Sequence, residues 1–155
     1  MAESGSEQAE RKARMAQAFI QAIPHSRELG MELREIGAGV AEMCVPYDPR
    51  FVGDPATGVL HGGVLTALLD SCSGAAVMSH PAAPAGTATI DLRIDYMRAA
   101  EVGATIVARA ECYRVTRNVA FVRATCFTDD PDHPVATSAG AFTVERPSGV
   151  TEDGP

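Results

Sequence analysis

A chain of 155 residues, 46% hydrophobic and 21% charged, has room for one domain with a real core and not for two. Its formal charge of −7 argues against nucleic acid or an anionic membrane surface as the main partner. Trp is absent and aromatics make up 5%, so the core falls to Ala, Val, Leu, Ile and Met.

Met1 to about Ser6 reads as disordered. From Glu7 to Ile23 the spacing of Met15, Phe19, Ala22 and Ile23 predicts an amphipathic helix ended by Pro24. Such a helix either packs over a sheet edge or acts as a lid over a pocket. Leu29 to Ile36 then reads as a strand, turned by Gly37-Ala38-Gly39 into a second strand, Val40 to Tyr47. Pro46, Asp48-Pro49 and Gly53-Asp54-Pro55 mark a long irregular connection.

Leu60 to Met78 is the stretch around which the chain is organised. It opens with His61-Gly62-Gly63 and continues almost wholly apolar, as a helix wrapped by other elements does. Helical spacing puts Thr66, Asp70 and Ser73 on one narrow polar stripe. Asp70 is then either a solvated seam or a carboxylate aimed into a cleft or subunit junction, where burial tunes its basicity. Gly62 and Gly63 fall in the first turn, where N–H groups lack intrahelical partners and a carbonyl oxygen can come close. A tight turn into a buried helix would use the same pair. His61 either holds that turn or moves a proton. Asp70 follows His61 by nine residues, roughly 13 Å along a helix axis. The two cannot meet on one substrate atom within one chain, so a shared reaction requires a dimer.

After a breaker at Pro81 to Pro84, Thr87 to Tyr96 alternates as a strand. Ala88, Ile90, Leu92, Ile94 and Tyr96 form one face, and Thr87, Thr89, Asp91, Arg93 and Asp95 the other. Thr105 to Val115 and Val119 to Thr128 read as a hairpin about Thr116-Arg117-Asn118. Their inner faces, Ala108, Ala110 and Cys112 against Ala120, Val122, Ala124 and Cys126, are small enough for a helix to lie close. Arg114 and Arg117 at the tip either solubilise it or meet an anionic ligand. Asp129 to Pro134 is an acidic turn, Val135 to Val144 the last strand, and the tail from Pro147 reads as loose. Cys44, Cys72, Cys112 and Cys126 include no Cys-x-x-Cys pair and read as free buried thiols, with no structural metal. With an acidic, non-hydrophobic start they point to the cytoplasm.

His61-Gly62-Gly63, followed by Leu68-Leu69-Asp70 and Gly74, resembles the signature of PaaI-type hotdog-fold acyl-CoA thioesterases. The likeness runs from about Ile23 to Val144. It implies an α+β hotdog fold over residues 23–146, a long central helix wrapped by a curved antiparallel β-sheet, after a disordered start and short helix (1–22) and before a flexible tail (147–155). It also implies a homodimer, or a tetramer built from dimers, with a site at each helix–helix junction. The strand ending at Tyr96 would pair with its twin across that dimer.

By that resemblance the Gly62 N–H polarises the thioester carbonyl, and Asp70 of the other chain acts as general base on water or as nucleophile. His61 holds the turn, and Thr89 places a hydroxyl near Asp70. Gly63, Asp54, Ser73, Arg117 and Asn118 complete the expected substrate contacts. The partner is an acyl-CoA, and no cofactor is called for beyond the CoA of the substrate. One departure stands out. The family's asparagine six residues before the histidine is Pro55 here, and Asp54 is the nearest replacement. Asp54 with His61 would alternatively suit a hotdog hydratase, and the Pro55 departure an acyl-CoA-binding protein without chemistry.

Overall fold

The computed structural model describes residues 5–146. The expected loose start (except Gly5 and Ser6, which are helical) and the expected loose tail lie outside the described residues. Helix α1 spans Gly5–Ala22 and α2 Pro24–Glu28, followed by strands β1 (Glu32–Gly37) and β2 (Val40–Val45). A 3-10 turn at Pro49–Phe51 leads into β3 (Val52–Asp54) and β4 (Val59–Leu60), and then the long helix α3 (Gly62–Met78). Strands β5 (Thr89–Tyr96), β6 (Ile106–Val115), β7 (Val119–Phe127) and β8 (Ala136–Thr143) complete the chain. No helix among the described residues is long and apolar enough to cross a membrane.

The main sheet has six antiparallel strands in the order β1-β2-β6-β7-β8-β5, and α3 lies in its hollow against β2, β6 and β7. This is the α+β arrangement that the resemblance implied. Leu68, Leu69, Cys72, Ala76 and Val77 are fully buried on α3 against Ala108, Ala110, Ala120 and Cys126 on the sheet. The alanines bring the sheet backbone near enough for the Cys72 thiol to reach the carbonyls of Ala41 and Ala108, each at 3.3 Å. Burial pushes the pKa of that thiol up to about 12, which keeps its proton in place as the donor. Full burial of Leu68 and Leu69 contributes about 1.5–3 kcal/mol each. All four cysteines are free and buried.

Four local expectations are corrected. The strand expected from Leu29 begins only at Glu32, because Pro24 starts a short helix and Gly30, at φ +67°, reverses the chain after it. The irregular connection contains a small hairpin, β3–β4, whose turn is held by the Tyr47 hydroxyl donating to the Gly58 carbonyl at 2.8 Å.

Helix α1 is present, but its expected inner face is turned outward. Met15 and Phe19 are 66% and 67% exposed, while Ile20 is buried. Gln17 and Gln21 set this rotation: the Gln17 Oε1 accepts from the Leu33 N–H at 2.7 Å, and the Gln21 Nε2 donates to the Met31 carbonyl at 2.8 Å.

The alternation of β5 breaks at its start. Thr89 pairs with Phe142 and Asp91 with the adjacent Ala141, so Ile90 is an extra residue, a β-bulge. The bulge moves Thr89 to the helix-facing side with Leu92 and Ile94 and leaves Ile90 56% exposed.

Candidate active site

The mouth of α3 is built from backbone. The hairpin β3–β4 sets it, because Gly53 lies so near His61 that a Cβ there would fall 2.8 Å from the His61 Cα. The His61 N–H donates to the Phe51 carbonyl at 2.9 Å, and His61 itself is the extended N-cap of the helix. Its Nδ1 accepts from the Gly63 N–H at 2.9 Å. A ring nitrogen that accepts carries no proton, so Nε2 is left as the donor facing outward. Gly63 has to be glycine for this cap, since a Cβ would lie 2.9 Å from Nδ1. The Gly63 N–H is therefore occupied. The Gly62 N–H has no acceptor among the described residues and stands at the positive end of the helix.

One helical turn further, Thr66 and Tyr96 close the flank of that mouth. Their hydroxyls hydrogen-bond one another, and each reaches the Gly62 carbonyl at 3.3 Å. Asp70 follows on the same open face of α3, half-buried, with its Oδ1 accepting from the Thr89 hydroxyl at 2.6 Å. The bulge at Ile90 is what delivers that hydroxyl, because an unbroken strand would turn Thr89 away from the helix. A cavity of about 520 Å³ opens over this face. Gly63, Ala67, Asp70 and Ser71 form its floor, Thr89 and Leu92 one wall, and His25 of α2 the other.

The structure brings Asp70, Thr89 and Gly63 of the expected residues to this cavity, with His61 and Gly62 at its end. It does not bring the others. Ser73 is 1% exposed with its hydroxyl unpartnered among the described residues, on the covered side of α3. Ser71 occupies the open face in its place, because the sheet covers α3 from the side that Ser73 faces.

Asp54 is committed to its own turn. It accepts from the Thr57 hydroxyl at 2.7 Å and the Ala56 N–H at 3.0 Å, and these bonds hold its carboxyl below the usual range. It is an acceptor throughout and does not replace the family's asparagine as a donor. Arg117 and Asn118 form the β6–β7 turn, where the Asn118 carbonyl accepts from the Val144 N–H, and neither lines the cavity. His25 and Tyr96 went unread in the sequence. Tyr96 looked like one apolar position among five, and nothing near His25 pointed to the cavity.

The family model described as the thioesterase superfamily matches residues 57–135, which include the whole of α3, β5, β6 and β7. The chain belongs to the thioesterase superfamily. Among curated proteins, this thioesterase-superfamily chain is 31% identical over 118 residues to the medium/long-chain acyl-CoA thioesterase YigI of Escherichia coli K12, covering 68% of this chain and 76% of YigI. A solved structure of a protein from Pseudomonas aeruginosa is 37% identical, with a TM-score of 0.75 over 84% of this chain and 97% of that one. The PaaI protein of the E. coli phenylacetic acid degradation operon is 19% identical but superposes with a TM-score of 0.76 over 89% of this chain and 96% of PaaI. The fold is thus the hotdog of PaaI-type thioesterases.

Proposed function

We propose that the protein hydrolyses medium- or long-chain acyl-CoA thioesters to the free acid and CoA, as a homodimer that shares each site between two chains. The observation that carries the mechanism is the 2.6 Å bond from Thr89 to Asp70 on the floor of an open cavity. It fixes one carboxylate oxygen and leaves the other for a water molecule. The substrate carbonyl oxygen takes the Gly62 N–H, where the helix end stabilises the oxyanion that develops. Asp70 removes a proton from water as its oxygen attacks the carbonyl carbon, and collapse of the tetrahedral intermediate expels CoA thiolate. Direct attack by Asp70, with water resolving an anhydride, uses the same geometry. Water is the only co-reactant, and neither a metal nor a redox group takes part.

Two observations support the shared site. Gly62 and Asp70 are eight residues apart on one helix, roughly 12 Å along its axis, so one chain cannot present both to a single carbonyl. The open face of α3 carries Gly63, Ala67, Ser71 and Gly74, small residues that admit a second helix. The acyl range rests on the YigI name. Asp54, bound into its own turn, offers His61 no acid–base partnership for a hydratase. Four buried free thiols support a reducing, cytoplasmic setting.

Subunit mixing tests the mechanism. Asp70→Asn and His61→Ala are each expected to lose nearly all CoA release. A mixture refolded together regains about a quarter of wild-type turnover, because half the dimers are hybrids and each hybrid has one intact junction. No recovery, with both variants folded and dimeric, removes the shared site. Full activity in Asp70→Asn removes the carboxylate from the reaction.

A further inference from the structure

The unpaired Gly62 N–H stands between two peptide planes that are both held. Its own plane is held at the far end, where the His61 carbonyl accepts from the Val64 N–H at 3.0 Å. The next plane, Gly62–Gly63, is held at both ends. Its N–H donates to the His61 Nδ1 at 2.9 Å, and its carbonyl meets the hydroxyls of Thr66 and Tyr96, each at 3.3 Å. Without such holds a pair of glycines turns widely, because neither has a Cβ to restrict it.

Hydrogen counting shows how the two hydroxyls share the work. Three contacts join Thr66, Tyr96 and the Gly62 carbonyl, but two hydroxyls own only two hydrogens. One hydroxyl therefore donates to the carbonyl while the other donates to the first, and the two can exchange places. Tyr96 adds a second hold through its ring, since a Cβ on Gly62 would fall 3.4 Å from the Tyr96 Cε1. Both side chains are exposed, so the core gives no reason for the pair. The carbonyl they hold does.

We propose that Tyr96 and Thr66 are positioning residues for the reaction: they fix the Gly62–Gly63 peptide, so that the Gly62 N–H stays aimed at the thioester carbonyl as negative charge gathers there. The inference rests on the acyl-CoA hydrolase reading and adds to it two residues that act through Gly62. A donor stabilises an oxyanion in full only if it is aimed beforehand, because a hydrogen bond weakens steeply as it bends. The clamp therefore acts on kcat and not on affinity for the substrate. Either hydroxyl, left alone, still donates to the carbonyl, so one loss is tolerated and both are not.

The test is a double-mutant cycle of near-isosteric changes, Tyr96→Phe and Thr66→Val, assayed on octanoyl-CoA. Tyr113→Phe, at an exposed tyrosine on β6, is the control and should change nothing. Each single variant should lose about two- to fivefold in kcat and the pair about a hundredfold, well beyond the product of the singles. KM, and the Kd of a non-hydrolysable octanoyl-CoA thioether, should stay within about twofold throughout. Thr66→Ser combined with Tyr96→Phe should perform like Tyr96→Phe alone.

A second readout follows the substrate carbonyl itself. Octanoyl-CoA isotopically labelled at the thioester carbonyl is bound to Asp70→Asn, which is expected to turn over almost none of it, and the infrared C=O band is recorded. The band should lie below its position in solution, and adding Tyr96→Phe with Thr66→Val should return it towards that position. Each single change should give a smaller shift the same way, so the outcome does not hang on the double variant folding. Single losses that multiply to the double loss, or a band that no variant moves, overturn the inference while the hydrolase reading stands. A band already at its solution position in Asp70→Asn also overturns it, because Gly62 is then not the donor. If the wild type releases CoA from no acyl-CoA, both readings fall together.

Discussion

The two edges of the six-stranded sheet are finished in opposite ways. At β1, helix α1 lies along the edge, and Gln17 and Gln21 take the Leu33 N–H and the Met31 carbonyl. At β5 nothing comparable is present among the described residues, and Ile90 and Met97 stand exposed beside a helix face of small residues. A long bare edge invites pairing with another chain, and a sheet that covers one edge has no stability reason to leave the other open. The difference marks β1 as the structural edge and leaves β5 as the edge along which the proposed dimer would pair.

That contrast can be broken from either side. The largest effect is expected at β5. Ile90→Lys combined with Met97→Lys should give a folded monomer by size exclusion with light scattering and lower CoA release about a hundredfold or more, since each carboxylate loses the helix mouth opposite. A dimer with full activity would show that the copies meet elsewhere.

Next is the bond that the β5 bulge makes available. Thr89→Val should reduce turnover about ten- to a hundredfold through loss of carboxylate positioning, with little change in Tm, and Thr89→Ser should recover most of it.

At β1 the outcome is stability, not catalysis. Gln17→Ala with Gln21→Ala removes two bonds worth about 1 kcal/mol each, a fall in Tm of about 4–8 °C, with α1 amides exchanging faster and butyryl-CoA turnover little affected.

The smallest effect belongs to Asp54, which serves neither edge. Its carboxyl is held below the usual range, so its contribution is complete above the ordinary carboxylate range and fades only as pH falls through that lowered value. Asp54→Asn should therefore change activity less than about twofold and leave the pH–rate profile unmoved between about pH 6 and 9.

Much of this was legible in the sequence. The run from Leu60 to Met78 marked the central helix, and Ala108, Ala110, Ala120 and Ala124 announced the close sheet beneath it. His61-Gly62-Gly63 identified the helix mouth, although only the structure showed that the His61 ring takes the Gly63 N–H and leaves that of Gly62. Apart from the short helix α2 and the small β3–β4 hairpin, which went unread, the main errors were errors of phase. On α1 the apolar period located the helix but not its rotation, which two glutamines decided. On α3 Ser73 was placed on the polar stripe with Asp70, but the sheet covers that side, and Ser71, which the sequence reading passed over, faces the cavity. On β5 perfect alternation hid a bulge, and with it the reason Thr89 meets Asp70.

The order of apolar and polar residues determined by itself which of the long segments are helix and which are strand, because periods of 3.6 and 2 are local properties of the backbone. Only the tertiary structure decided which face of each element is covered, where an extra residue enters a strand, and which donors remain unpaired. Those outcomes depend on contacts between segments far apart in the chain. Thr89 and Asp70, nineteen residues apart, are joined by one short bond because a bulged strand and a buried helix cross at that point.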